Sequence, residues 1–167
     1  MLVAIFAAAV AIYAAVMVQD IRQRQVSDLF CVGIAGLGII RWIVLMQIAP
    51  AAWAAAAALL LFGIGLVFHW RGWLGGGDVK LIAATALLLG GDMDDIIRFL
   101  FLMSLIGSGL AILLLIQLRI IRPQAEPSAA SAGPNAPTPA SDHAKVPYAV
   151  AVALAATILL FLQSQRA

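Results

Sequence analysis

The chain has 167 residues, 64% of them hydrophobic and 11% charged, with a formal net charge of +2 and a mean hydropathy of +1.06. That balance excludes an ordinary soluble domain and places the chain in lipid, and so small and localised a charge argues against nucleic acid as a partner. A single cysteine, Cys31, excludes an intramolecular disulfide and any paired-cysteine zinc site; within an apolar run it reads as a small packed hydrophobe.

Six apolar runs follow one another. Leu2 to Val18 is the first, Leu29 to Ala49 the second and Ala51 to Phe68 the third, with a minimal connection around Pro50. The fourth, Val79 to Gly90, is short against the ~20 residues needed to cross a bilayer. It reads as a helix that starts inside the membrane boundary, with Gly75 to Gly77 as a non-helical entrance. Irregular backbone at that depth requires cover from protein or a water-filled cavity, so the short run hints at a cavity. Ile96 to Leu118 is the long fifth run and Val146 to Leu162 the last. Between them, residues 123–145 are dominated by Pro, Ala, Ser and Gly, a composition that cannot bury enough apolar surface to offset its ordering entropy. The expectation is an all-α, polytopic bundle of about six transmembrane helices, one domain over residues 1–167, with a flexible linker before the last helix.

Lys and Arg accumulate on the cytoplasmic side of membrane proteins. Arg22 and Arg24 follow the first run, His69, Arg71 and Lys80 surround the third connection, and Arg119, Arg122 and Lys145 border the linker. The fourth connection carries Asp92, Asp94 and Asp95 without a Lys or Arg. The odd-numbered connections and the linker are therefore expected in the cytoplasm, with both termini external. No basic segment precedes the first run, which reads as a retained helix and not as a cleaved signal.

This topology brings two acids to one leaflet. Asp20 closes the first run, and Asp78, in Gly75-Gly76-Gly77-Asp78-Val79-Lys80-Leu81, opens the fourth. Ionisable groups at membrane depth are costly, and they default to a functional hypothesis. Paired carboxylates can hydrolyse an amide when one is ionised, to draw a proton from water, and the other is protonated, to polarise the carbonyl. Like-charge proximity in a low-dielectric site divides their titration in this way. Glycines before Asp78 let the backbone approach an extended substrate closely.

The chain resembles the type IV prepilin peptidases, membrane aspartic proteases of the GxGD class. The resemblance rests on Asp20-Ile21-Arg22 with Val26-Ser27-Asp28, on Gly75-Gly76-Gly77-Asp78-Val79-Lys80-Leu81, and on Lys145-Val146-Pro147-Tyr148, in that order. It implies that Asp20 and Asp78 are the catalytic pair, with Gly75, Gly76, Gly77 and Lys80 shaping the substrate site and no metal or other cofactor. It also implies cleavage of a short basic leader, after a glycine, from prepilin or pseudopilin substrates with an apolar helix, at the cytoplasmic face of the bacterial inner membrane. Many members carry Ile-Pro-Asn where this chain has Val26-Ser27-Asp28. Larger members add a cysteine-paired cytoplasmic domain associated with N-methylation. Without that domain the chain resembles the short members serving tight-adherence (Flp-type) pili, so peptidase activity without methyl transfer is expected.

Simpler roles compete at each position. Asp20 could be an interfacial acid beside Arg22 or Arg24, and Asp78 a helix N-cap. Asp28, the rival to Asp20, reads as the N-cap of the second helix. Lys80 either steers an acidic substrate residue or snorkels. Arg41 and Arg98, near outer ends, reach headgroups or pair with the external acids, and His69 with Trp70-Arg71-Gly72-Trp73 forms an interfacial belt with no ligand set for a metal. Two other classes of function fit the same acids. One is a small carrier binding protons or cations at Asp20 and Asp78; the other is a non-catalytic pilus assembly factor, which would tolerate loss of either.

Overall fold

The computed structural model describes residues 2–23, 27–121 and 148–165, all within or between six helices. These are α1 (Leu2–Gln23), α2 (Asp28–Leu45), α3 (Ile48–Trp70), α4 (Gly76–Leu89), α5 (Met93–Ile121) and α6 (Tyr148–Ser164). The expected linker at 123–145 lies outside the described residues. Four stretches are long and apolar enough to cross a membrane: Leu2–Asp20, Asp28–Leu45, Ile48–Trp70 and Met93–Leu113. The chain is thus a multi-pass membrane protein, with a shorter apolar helix, α6, and the short helix α4 added to the long four.

The two short helices form the centre. At 14 residues, α4 extends about 21 Å, well under the ~30 Å of a hydrocarbon core. It packs against α2, α3 and α6, while α6 packs against α1, α4 and α5. Val79, Leu81, Ile82, Ala84, Thr85, Ala86, Leu88 and Leu89 of α4 are all buried. So is most of α6, whose inward positions are largely small residues, among them Ala149, Ala151, Ala153, Ala155 and Ala156. A helix screened from lipid by longer neighbours is freed from matching the bilayer thickness. Apolar packing gives helices in lipid no hydrophobic drive to associate, so close approach through small residues matters more. A Cβ on Gly38 would stand 3.1 Å from the Leu88 nitrogen, and one on Gly65 2.7 Å from Val79 Cγ1. These glycines let α2 and α3 close on α4.

Three boundaries differ from the sequence expectation. The second connection falls at Met46 and Gln47, not at Pro50. Met46 is a left-handed C-cap (φ 51°) and Gln47 the N-cap of α3. Pro50 sits in the first turn of α3, where its missing N–H has no intrahelical acceptor to lose. Gly76 and Gly77 are helical, with Gly75 as the N-cap, so the glycine stretch is a helix start and not an irregular entrance. Ser27, and not Asp28, caps α2, its hydroxyl accepting from the Leu29 N–H at 3.4 Å.

The outer end of α4 shows how a short buried helix satisfies its backbone. The last four carbonyls of any helix lack intrahelical donors. Here the Ala86 carbonyl accepts from the Gly90 N–H at 2.8 Å. The Leu87 carbonyl accepts from Trp42 Nε1 at 2.8 Å, that of Leu88 from the Arg41 guanidinium, and that of Leu89 from Gln163 Nε2 at 3.2 Å. Arg41 is thus turned inward, its guanidinium also lying over the rings of Phe6 and Trp42. It reaches helix carbonyls where headgroups were one expectation, and its charge acts on Asp95.

Candidate active site

Asp20 is near the C-terminal end of α1 and Asp78 in the first turn of α4. Antiparallel helices bring such positions to one level only in the right register, and a buried hydrogen bond marks that register. The Tyr13 hydroxyl donates to Thr85 Oγ1 at 3.0 Å, and Thr85 donates in turn to the Leu81 carbonyl at 2.8 Å. Tyr13 precedes Asp20 by seven residues, and Thr85 follows Asp78 by seven. Seven residues rise about 10.5 Å and fall roughly 20° short of two full turns. Asp20 therefore shares a face of α1 with Tyr13, and Asp78 shares a face of α4 with Thr85. The contact between Tyr13 and Thr85 carries the two acids toward each other at one depth, where each carboxyl is within electrostatic reach of the other.

A backbone N–H also faces each acid. Asp20, only 6% exposed, has the Val150 N–H at the start of α6 beside it. Its Oδ2 is buried without a hydrogen-bond partner among the described residues, leaving an acceptor open for water or substrate. Asp78 is half-buried and faces back toward the Gly75 N–H across the first turn, the arrangement of a capping box. Capping and a second role are compatible, since one carboxyl oxygen suffices for the cap.

Gly75 and Asp78 touch closely: a Cβ on Gly75 would lie 2.9 Å from Asp78 Oδ2. Gly76 faces the His69 ring, where a Cβ would meet Cε1 at 3.4 Å; His69 Nδ1 is 2.9 Å from the Leu74 carbonyl, clasping the turn before α4. The Gly77 carbonyl faces Cys31 Sγ at 3.8 Å, and Cys31 is buried, as a packed hydrophobe should be. Lys80 does not reach either acid in an ion pair. It binds Asp28 at 2.7 and 2.8 Å, with both side chains open to solvent. Trp70 and Trp73 are exposed, and Trp73 stacks on Phe68 with centroids 5.8 Å apart, the geometry of a belt at the same end of the bundle.

Among the described residues no three His, Cys, Asp or Glu side chains are grouped as a metal ligand set. A cavity of about 280 Å³ opens at the opposite end, lined by Phe6, Arg41, Leu45, Asp92, Asp95 and Gln163 among others. It holds neither Asp20 nor Asp78.

Residues 5–112 match the type IV leader peptidase family, a stretch that includes Asp20, the glycine triplet and Asp78. The chain belongs to that family. It is accordingly a prepilin leader peptidase, an aspartic endopeptidase in a family of inner-membrane enzymes, and membership weighs against the carrier and assembly-factor alternatives. No curated protein and no solved structure matches the chain. The matched region ends within α5, so α6 lies beyond it.

Several contacts, near the acids and at the far end of α4, escape sequence reasoning. The Val150 N–H is a backbone group with no sequence signature, and Arg41 and Gln163 act on acceptors 47 and 74 residues away. Tyr13 and Thr85 did leave a signal: two hydroxyls, each a heptad from its acid, toward the interior of its helix.

Proposed function

We propose that Asp20 and Asp78 are the catalytic pair of this peptidase, and that it removes short basic leaders from Flp-type prepilins at the cytoplasmic face of the inner membrane. The observation that supports the reading is that Asp20 and Asp78, on two different helices, lie at one end of the bundle with the charge of Asp20 acting on Asp78. The substrate lays its apolar helix alongside the bundle and presents the segment after its leader, extended, across the Gly75 turn. One carboxylate, ionised, takes a proton from a water molecule. The other, protonated, donates a hydrogen bond to the scissile carbonyl oxygen, and the water oxygen bonds to the carbonyl carbon. Collapse of the tetrahedral intermediate breaks the C–N bond, with the proton passing to the leaving amine. The whole chain serves as a single peptidase domain, crossing the membrane six times with both termini external, α4 and α6 completing the count. The inner placement of both short helices supports this, since long neighbours shield them from lipid.

Lys80 belongs to the substrate site in this reading. Its partner Asp28 is exposed, and an exposed pair is worth at most ~1 kcal/mol, so an acidic substrate residue can compete for the ammonium. The test is cleavage of a co-expressed Flp-type prepilin, read by gel shift and N-terminal sequencing. Wild type cuts after the leader glycine. Asp20→Asn and Asp78→Asn accumulate uncut prepilin at normal enzyme levels, whereas Asp28→Asn still cuts. Cleavage by both of the first two variants would remove the assignment.

A further inference from the structure

The connection from α3 to α4, residues 71–75, is exposed over most of its length and leads directly to Asp78. Its first part is fixed by backbone bonds, because α3 stops in a Schellman motif. Gly72, at φ 74°, donates its N–H to the His69 carbonyl at 2.9 Å, and Trp73 donates its N–H to the Phe68 carbonyl at 3.0 Å. The Trp73 ring stacks on that of Phe68, the apolar contact that accompanies such a helix end. Leu74 and Gly75 follow, beyond the reach of that motif.

The His69 side chain holds this second part. His69 stands four residues after Gly65, so the two share a face of α3, and that face meets α4. Gly65 lies against Val79, and the His69 ring lies against Gly76, where a Cβ would stand 3.4 Å from Cε1 and 3.6 Å from Nε2. The same ring places Nδ1 2.9 Å from the Leu74 carbonyl. A carbonyl only accepts, so Nδ1 carries the proton in this contact. One side chain thus grips the residue before Gly75 and the residue after it. The Leu74 carbonyl and the Gly75 N–H belong to one planar peptide and turn together. Gly75 is in turn the residue against which the Asp78 carboxyl packs, since a Cβ there would stand 2.9 Å from Oδ2.

We propose that His69 is a positioning residue for Asp78: it ties the Leu74–Gly75 peptide to the end of α3, and that peptide sets how the Asp78 carboxyl lies. The inference rests on Asp78 being one of the catalytic pair, and it gives His69 a task beyond the interfacial belt. His69 is exposed, so water can replace its bond to Leu74 at little cost in stability. Water does not hold the peptide to α3, however, and the consequence of losing the imidazole is therefore kinetic.

His69→Leu and His69→Asn separate the donor from the bulk of the side chain. The two replacements are nearly equal in size, and Asn places its amide nitrogen close to where Nδ1 stood. With purified enzyme and prepilin, His69→Leu is expected to lose about tenfold in kcat, as a small misplacement of a reacting group does, with KM within about twofold of wild type. Its melting temperature stays near wild type. His69→Asn, which restores the donor, is expected to keep kcat within about threefold of wild type. A second measurement needs no activity: the backbone amides of residues 75–79 are expected to exchange with deuterium severalfold faster in His69→Leu, and at the wild-type rate in His69→Asn. Wild-type kcat in His69→Leu, equal losses in the Leu and Asn variants, a change confined to KM, or unaltered exchange in His69→Leu overturns the proposal. The outcome separates from that of the active-site reading: inactive Asp20→Asn and Asp78→Asn beside a fully active His69→Leu would reject the role of His69 alone, whereas active Asp20→Asn and Asp78→Asn would reject both.

Discussion

In the proposed site, Gly75 shows most directly how one missing side chain would serve the chemistry. Its backbone angles, φ −69° and ψ 143°, are open to any residue, so the need for glycine lies in space and not in conformation. A Cβ there would approach Asp78 Oδ2 to 2.9 Å, closer than such contacts allow, and the softest response is rotation of the Asp78 carboxyl. That response costs little stability but turns the acid away from Asp20. Gly75→Ala is therefore expected to fold with a melting temperature near wild type, and to lose about tenfold to a hundredfold in kcat, as a sub-ångström to ångström displacement of a reacting group does. A variant with unchanged kcat would mean that Asp78 has room to spare; one that fails to fold would place the strain in the helix start. The neighbouring charges follow a different logic. Asp28 and Lys80 form a short pair, yet both are largely solvated, and solvent screening leaves such pairs little stabilising energy. In the proposed reading their value lies in being exchangeable when a charged substrate arrives.

Between α1 and α4, the Tyr13–Thr85 bond does what apolar packing cannot, since the two helices otherwise meet mainly through α2 and α6. Both side chains are fully buried, which makes the two single deletions unequal. Tyr13→Phe removes a donor and leaves the Thr85 hydroxyl still bonded to the Leu81 carbonyl, a loss of about 1 kcal/mol. Thr85→Val leaves the Tyr13 hydroxyl buried with its acceptor gone, which costs about 1–3 kcal/mol. Denaturation in detergent should thus rank wild type above Tyr13→Phe and Tyr13→Phe above Thr85→Val, with prepilin cleavage falling in the same order; the reverse ranking would mean that the hydroxyl finds another acceptor. The helices themselves were largely legible, because each apolar run is long and its ends carry charge or glycine. The misplaced ends have local causes: Pro50 reads as a breaker but is harmless in a first turn, and glycines ahead of Asp78 read as irregular although a helix start accepts them. Topology and motif are what single out Asp20 and Asp78 in the sequence as the candidate pair. The closure of the far end of α4 was not legible, since Arg41, Trp42 and Gln163 find their acceptors across the bundle and nothing in their local sequence announces it.

For the molecule as a whole, the short helices inside and the long helices outside produce an asymmetric bundle in a membrane. The large exposed hydrophobics, such as Leu59, Leu60 and Ile64 on α3, face where lipid would be, and the ends of the bundle differ in charge. Arg22, His69, Arg71 and Lys80 lie at the end with Asp20 and Asp78, whereas the other end presents Asp92, Asp94 and Asp95 with one exposed cation, Arg98, beside them and Arg41 folded inward onto helix carbonyls. Basic residues favour the cytoplasmic side and acids have little influence, so the site end is expected inside the cell, where newly made prepilins still carry their leaders. The two ends of α3 offer a direct check. Met46, just before it, is 87% exposed, and Trp70, its last residue, is 94% exposed, while the 23 residues of α3 extend about 34 Å, enough to separate them by a bilayer. In a Cys31→Ala background, a membrane-impermeant maleimide should label Met46→Cys on intact spheroplasts and Trp70→Cys only after lysis. The opposite pattern would put the two aspartates outside, facing no uncut leader, and would overturn cleavage at the cytoplasmic face. Labelling of both from outside would mean that α3 does not cross at all, and the helix count on which the shared leaflet of Asp20 and Asp78 depends would fail with it.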